Sequence, residues 1–213
     1  DGVSVLLGLS GTPSFMGVES AWGYRHVEKT PADLYKLAGT RESGIGIKGE
    51  LNSRLKYHVM VGNGNGTSSE DNKGKKYMGA LGLSLTDDIS LSGHFDFDDQ
   101  KGPATFMTAQ AVLSQKTSSY RWGLHYALNN QDDGNADASL NLISAYGVYN
   151  LNETSALLAR IDMVMDENPT HGPGYLPLAT GSKLNFFLLG YDMRCSSGLH
   201  LIPNVEMVMY DGK

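Results

Sequence analysis

No apolar run in this 213-residue chain approaches the roughly 18 residues that a membrane-crossing helix requires, so a helical membrane protein is excluded. Cysteine is nearly absent. The single Cys195 can form no internal disulfide, and without CxxC or Cys/His spacing there is no zinc motif. A basic excess is missing too: 17 Lys and Arg against 23 Asp and Glu leave a net charge of −6. That argues against a nucleic-acid partner, because binding phosphate needs a concentrated basic face. Prolines number only 7 beside 26 glycines, and charged residues make up 19%, a poor match to an ordinary soluble domain. No charged n-region followed by an apolar h-region opens the chain. Strand-like residues begin almost at once and stop where a loop would start, which leads us to expect a portion of a longer chain.

What the sequence does contain is alternation of period two, the signature of strands with two unlike faces. Strands are expected at 3–9, 43–51, 54–62, 75–85, 88–97, 104–114, 118–129, 138–150, 154–165, 183–194 and 198–209, about eleven in all. Short turns at 52–53, 86–87, 115–117, 151–153 and 195–197 alternate strictly with longer polar connections at 10–42, 63–74, 98–103, 130–137 and 166–182. A meander with short connections at one end and long ones at the other is the pattern of an up-and-down barrel crossing the outer membrane.

The faces agree. Tyr120, Trp122, Leu124, Tyr126 and Leu128 oppose Arg121, Gly123, His125 and Ala127; Ile89, Leu91, Phe95 and Phe97 oppose Ser90, Ser92, His94 and Asp96. Leu157, Ala159, Ile161, Met163 and Met165 oppose Arg160 and Asp162, and Leu199, Leu201, Val205, Met207 and Met209 oppose His200, Asn204 and Glu206. The second faces are polar enough to predict a wet interior. Strands 104–114 and 138–150 alternate too poorly for their faces to be assigned. Tyr77, Phe95, Phe97, Phe106, Tyr126, Phe186 and Phe187 fall toward the long-loop ends, and Tyr57, Tyr120, Trp122, Tyr146, Tyr149 and Tyr191 toward the short-turn ends. Two aromatic bands are the interfacial girdles of a barrel in lipid. The expected fold is therefore all-β: a single domain over 1–213, an antiparallel up-and-down transmembrane β-barrel. It is expected to be incomplete, since closed bacterial barrels carry an even strand count.

The segment TRESGIGIKG at 40–49, followed by LKYHVMVGNGNG at 55–66, resembles the phosphate-selective porin O and P family and its porin-like relatives, as does ESAWGYR at 19–25 before it. Glu42 stands where that family has aspartate. The resemblance covers roughly a third of the chain. It implies a passive channel of the bacterial outer membrane, a homotrimer in contact with outer-membrane lipid and lipopolysaccharide, that passes small hydrophilic or ionic solutes, anions such as phosphate among them. It also implies an inward-folded constriction loop. Residues 11–42 are the candidate, with 33–37 after Thr30-Pro31 read as a helical turn. The constriction candidates are Arg25, Lys29, Lys36, Arg41 and Glu42. The lumen-lining candidates are Arg54, Lys56, His58, His94, Asp96, Arg121, His125, Arg160, Asp162, Asp192, Arg194 and Glu206. These mix both signs, so phosphate selectivity does not follow from the resemblance.

Other chemistries find little footing. His94, Asp96 and Asp98 share a face, but in an EF-type register Lys101 falls where glycine is needed and Met107 where the closing glutamate belongs, so no metal site is expected. There is no GxSxG and no singled-out nucleophile, so no enzyme and no cofactor are expected. The glycine-rich runs at 63–66 and 171–174 do not sit between a strand and a helix and read as loop. The competing expectation is a barrel that acts as a scaffold or sheath in a surface complex, with no free pore.

Overall fold

The computed structural model describes residues 2–100, 102–168, 179–195 and 198–211. It is all-β, one antiparallel up-and-down sheet of twelve strands among the described residues. They are β1 (Ser4–Gly11), β2 (Arg41–Asn52), β3 (Leu55–Gly62), β4 (Lys76–Ser84), β5 (Ile89–Asp99), β6 (Thr105–Lys116), β7 (Tyr120–Asp132), β8 (Asp137–Asn152), β9 (Ser155–Val164), β10 (Leu184–Arg194), β11 (His200–Leu201) and β12 (Asn204–Tyr210). Each pairs with its neighbour in sequence, and β12 pairs with β10 alongside β11. The last expected strand is thus divided. Pro203 lacks an N–H for the ladder but still accepts a bond from the Tyr191 N–H at 3.0 Å. Among the described residues β1 pairs only with β2, and β12 only with β10, so each leaves one edge unpaired.

The described short turns share one local device. A side-chain oxygen at the turn entrance accepts the backbone N–H groups two and three residues on, closing the reversal without help from the rest of the fold. Asn52 does this for Arg54 and Leu55, Thr86 for Asp88 and Ile89, and Thr117 for Ser119 and Tyr120. Asn152 holds the N–H and hydroxyl of Thr154. In the longer β7–β8 connection Asp133 accepts from Asn135 and Ala136, and these bonds hold its carboxyl below the usual range.

One face of the sheet is bare and the other carries residues 12–40. On the bare face Val5, Leu7, Ile45, Ile47, Val59, Val61, Leu81, Leu124, Leu189 and Val205 lie exposed, an apolar surface far larger than a soluble protein leaves in water. Register sets Tyr77 opposite Phe97 near the long loops. It aligns Tyr120, Tyr149, Leu157 and Tyr191 in a row near the short turns. Three expected band members are corrected: Tyr146 and Phe186 point to the covered face and are 4% exposed each, and Phe106 shares that parity.

Residues 12–40 are more ordered than their lack of periodicity predicts. A 3-10 turn at Pro13–Phe15 is followed by α1 (Val18–Trp22) and α2 (Pro31–Leu34), the latter entered at Thr30 and Pro31 as expected but ending at Leu34, earlier than the 33–37 turn read from the sequence, and without a side-chain capping bond from Thr30. Val18, Trp22, Tyr24, Ala32, Tyr35 and Leu37 form one hydrophobic core with Leu140, Leu142, Val148, Leu158, Leu184 and Leu188. This corrects the expectation of a wet interior: the covered face of β8–β10 is dry. It also explains the failed alternation of 138–150. In β8, Leu140, Leu142 and Val148 face the segment while Ile143 and Ala145 face the other way, so both faces are apolar.

Candidate functional site

The covered face, with the segment seated on it, gathers most of the charged and hydrogen-bonding side chains that the sequence singled out. On the β9–β10 side the centre is Arg160, 3% exposed. Its Nε donates to Asp162 Oδ1 at 2.8 Å, Nη2 donates to Asp162 Oδ2, and Nη1 donates to the carbonyl of Lys29. The guanidinium lies between the rings of Trp22 (5.5 Å) and Phe186 (5.4 Å), within cation–π range of both. The Tyr35 hydroxyl donates to Asp162 Oδ2 at 2.9 Å. Burial, and then the neighbouring Asp162 charge, push the Tyr35 phenol well above its ordinary range. A second anchor repeats the chemistry. Tyr24 donates to Asp192 Oδ2 at 2.8 Å, and burial followed by that bond raises its phenol too. Asp192 also meets His200 Nδ1 at 2.9 Å and Arg194 Nε at 3.4 Å, and Arg194 reaches Asn150. Glu206 on β12 is exposed.

On the β3–β7 side the contacts are hydrogen bonds between neutral groups. Gln110 Nε2 donates to the carbonyl of Ser14 at 2.9 Å and contacts His94 Nδ1 at 3.3 Å, while its Oε1 meets His125 Nε2 at 3.0 Å. Thr108 donates to the carbonyl of Leu37 at 2.9 Å, and Asn129 donates to the same oxygen at 3.3 Å. His94 Nε2 stands 3.5 Å from Asp96 Oδ2, and Lys76 Nζ lies 3.4 Å from Asp96 and 3.6 Å from Asp98. His58 Nε2 and His125 Nδ1 are buried with no protein partner among the described residues, the kind of atom that ordered water satisfies.

The constriction candidates are scattered around the segment. Arg25 is exposed and held by Glu19 and Asp33, each at 2.7 Å. Lys29 and Lys36 are exposed, and Lys36 has a left-handed backbone, φ 58°. Arg41 is exposed and shares with Arg25, Glu19, Thr12, Phe15 and Thr40 a polar recess of about 390 Å³ at the long-loop end. Glu42 is separated from it. Successive strand residues face opposite ways, and the Glu42 carboxylate is buried, accepting from Ser43 N at 3.2 Å and Gly66 N at 3.3 Å. The two are therefore not neighbours in one filter. Among the lumen candidates, Arg54 is corrected: it sits exposed in the β2–β3 turn. Lys56 is exposed and paired with Glu50 at 2.9 Å. The Arg121 guanidinium rests on Gly23, where any Cβ would lie 1.8 Å from Nη1, and Gly23 also supplies the left-handed cap of α1.

Sequence reasoning missed Trp22, Tyr24, Tyr35, Gln110 and Asn129. The first three carried a usable signal, since a loop that holds a tryptophan and two tyrosines among alanines has the composition of a buried segment. Among the described residues no three His, Cys, Asp or Glu side chains converge to hold a metal ion.

No protein-family model matches the chain, and no curated protein matches it in sequence. The resemblance to the porin O and P family stands on the sequence motifs at 19–25 and 40–66.

Proposed function

We propose that this chain forms the wall of an outer-membrane channel, a porin-like barrel through which small hydrophilic or ionic solutes diffuse, narrowed by residues 12–40. The observation that carries this reading is the bare face. It is apolar from β1 to β12 with aromatic rows toward both ends, while the opposite face holds the charges and the packed segment. Such a sheet suits lipid on one side and water on the other. Since β1 and β12 run in the same direction, closing the barrel without a parallel seam takes an odd number of further strands. The homotrimer and the contact with lipopolysaccharide belong to the same proposal.

The test is conduction. In planar bilayers the purified full-length protein is expected to give discrete conductance steps, and to migrate on gels according to whether it was heated. A monomer soluble without detergent sinks the reading. The scaffold or sheath reading has one observation in its favour, the dry core that residues 12–40 form over β8–β10, which already fills part of the interior. A detergent-requiring, folded protein that passes no current selects that alternative.

A further inference from the structure

Residues 12–40 are not alone in folding onto the covered face. The β3–β4 connection, residues 63–75, does so too at the long-loop end. Its first turn doubles back on β2: the Asn63 N–H donates to the Ser43 carbonyl at 3.0 Å, the Ser43 N–H to the Gly66 carbonyl at 3.1 Å, and the Gly66 N–H to Glu42 Oε2 at 3.3 Å. Glu42 lies on the covered face, so the last of these bonds draws the chain inward. The Asn-Gly-Asn-Gly run at 63–66 makes that approach possible. Gly64 and Gly66 have left-handed backbones, φ 81° and 61°, and a Cβ on Gly64 would stand 2.4 Å from Asp98 Oδ1. Farther along, the Asn65 amide braces the turn through the Ser69 carbonyl and Asp71 Oδ1.

The ground beneath this turn is short of positive charge. Glu42, Asp96 and Asp98 are each at most 3% exposed, and the ammonium between them is that of Lys76, 3.4 Å from Asp96 and 3.6 Å from Asp98. Asp96 Oδ1 and Asp98 Oδ1 have no hydrogen-bond partner among the described residues. His94, beside Asp96, adds no charge. Gln110 turns its amide N–H groups to the Ser14 carbonyl and to His94 Nδ1, which requires a lone pair there and hence a neutral ring. His58 on β3 is the other titratable neighbour, buried across Ala80 from His94. Ionising all three carboxylates against one ammonium would leave two negative charges uncompensated in a dry space. The folded-back arrangement therefore retains protons that the same groups release once water reaches them.

We infer that residues 63–75 are a proton-operated lid at the rim of the passage, latched in acid by Glu42 and Asp98 around Lys76 and released as pH rises. The lid's effect on the passage rests on the channel reading; the latch itself does not. Its sign follows from linkage, since an arrangement that holds more protons is favoured by acid. Lys76 lets the lid stay shut with fewer protons bound, so removing its charge moves the release to lower pH.

A spin label at Ser68→Cys in a Cys195→Ser background reads the lid directly in the full-length protein, and conductance in planar bilayers reads its effect. Ser68 is exposed, so the label does not disturb the latch. The label is expected to be immobile at about pH 5 and mobile at about pH 8, with conductance rising over the same range. Glu42→Gln keeps the size of the side chain and an oxygen for the Gly66 N–H, and Asp98→Asn removes a charge in the same way. Each is expected to hold the label less mobile than the parent at about pH 8, whereas Lys76→Gln frees it at lower pH than the parent does. A parent label equally mobile at both pH values overturns the lid. A pH response unchanged in both Glu42→Gln and Asp98→Asn overturns the latch. Conductance that ignores a pH-dependent label overturns the lid's place on the passage. A pH-dependent label in a folded protein that passes no current overturns the channel reading and leaves the latch standing.

Discussion

Residues 12–40 rest on two unlike surfaces. Toward β8–β10 the contact is a dry core in which Leu140, Leu142, Leu158 and Leu184 are at most 1% exposed, and the Arg160–Asp162 ion pair inside it is doubly hydrogen-bonded. Toward β3–β7 the same segment meets His94, Gln110, Thr108 and Asn129 through neutral hydrogen bonds, beside imidazole nitrogens without protein partners. The dry side obtains its strength from apolar area and from a charge pair that cannot be solvated if it is broken. The wet side obtains only the small net value of exchanging water for protein hydrogen bonds. The segment should therefore be anchored at β8–β10 and looser at β3–β7.

The sharpest way to break that asymmetry is Arg160→Ala, which leaves Asp162 buried and unpaired. We expect a loss of about 3–5 kcal/mol in urea unfolding of the protein in detergent, the range for halving a buried ion pair. Next comes Leu158→Ala in the same wall, expected to cost about 2–5 kcal/mol with a cavity that the rigid sheet cannot close. On the wet side, Gln110→Ala should cost only about 1–3 kcal/mol, since it orphans the Ser14 carbonyl while water replaces the amide between the histidines. If Gln110→Ala proves as damaging as Arg160→Ala, the two sides are not unlike and the comparison fails.

The smallest effect concerns alkali. Tyr24 and Tyr35 both have phenols raised above the ordinary value near 10 by burial and by a carboxylate acceptor. A group whose folded pKa is raised gives its full contribution below its unfolded pKa and loses it as pH climbs above that value. Docking on the dry side should therefore hold unchanged to about pH 10 and weaken beyond it. The check is acrylamide quenching of Trp22 in a Trp122→Phe background, where Trp22 is the only tryptophan. Quenching is expected to rise above pH 10 in the parent and to rise less steeply in Tyr35→Phe. A flat profile to pH 12 would remove the tyrosines from the anchor.

The sheet was legible because alternation and turn chemistry are local. Asn52, Thr86, Thr117 and Asn152 close their hairpins within three residues, and strand faces follow from parity alone. Reading failed where two surfaces meet. In β8 both faces are apolar because one touches the segment, so no period could be seen. Arg41 and Glu42 both read as constriction residues, whereas a strand sends adjacent side chains to opposite faces. Arg54 looked inward by parity but belongs to the turn.

By itself, then, the sequence determined an antiparallel meander with one apolar face, short connections at one end and long ones at the other. It also held the composition of a segment that would not remain in solvent. Only the tertiary structure decided which polar groups are dry. Arg160 reaches Lys29 across 131 residues and Tyr24 reaches Asp192 across 168, and no local pattern encodes a meeting at that range. A charge becomes an anchor when other parts of the chain exclude water from it. That exclusion is a property of the assembled wall and segment, and neither has it alone.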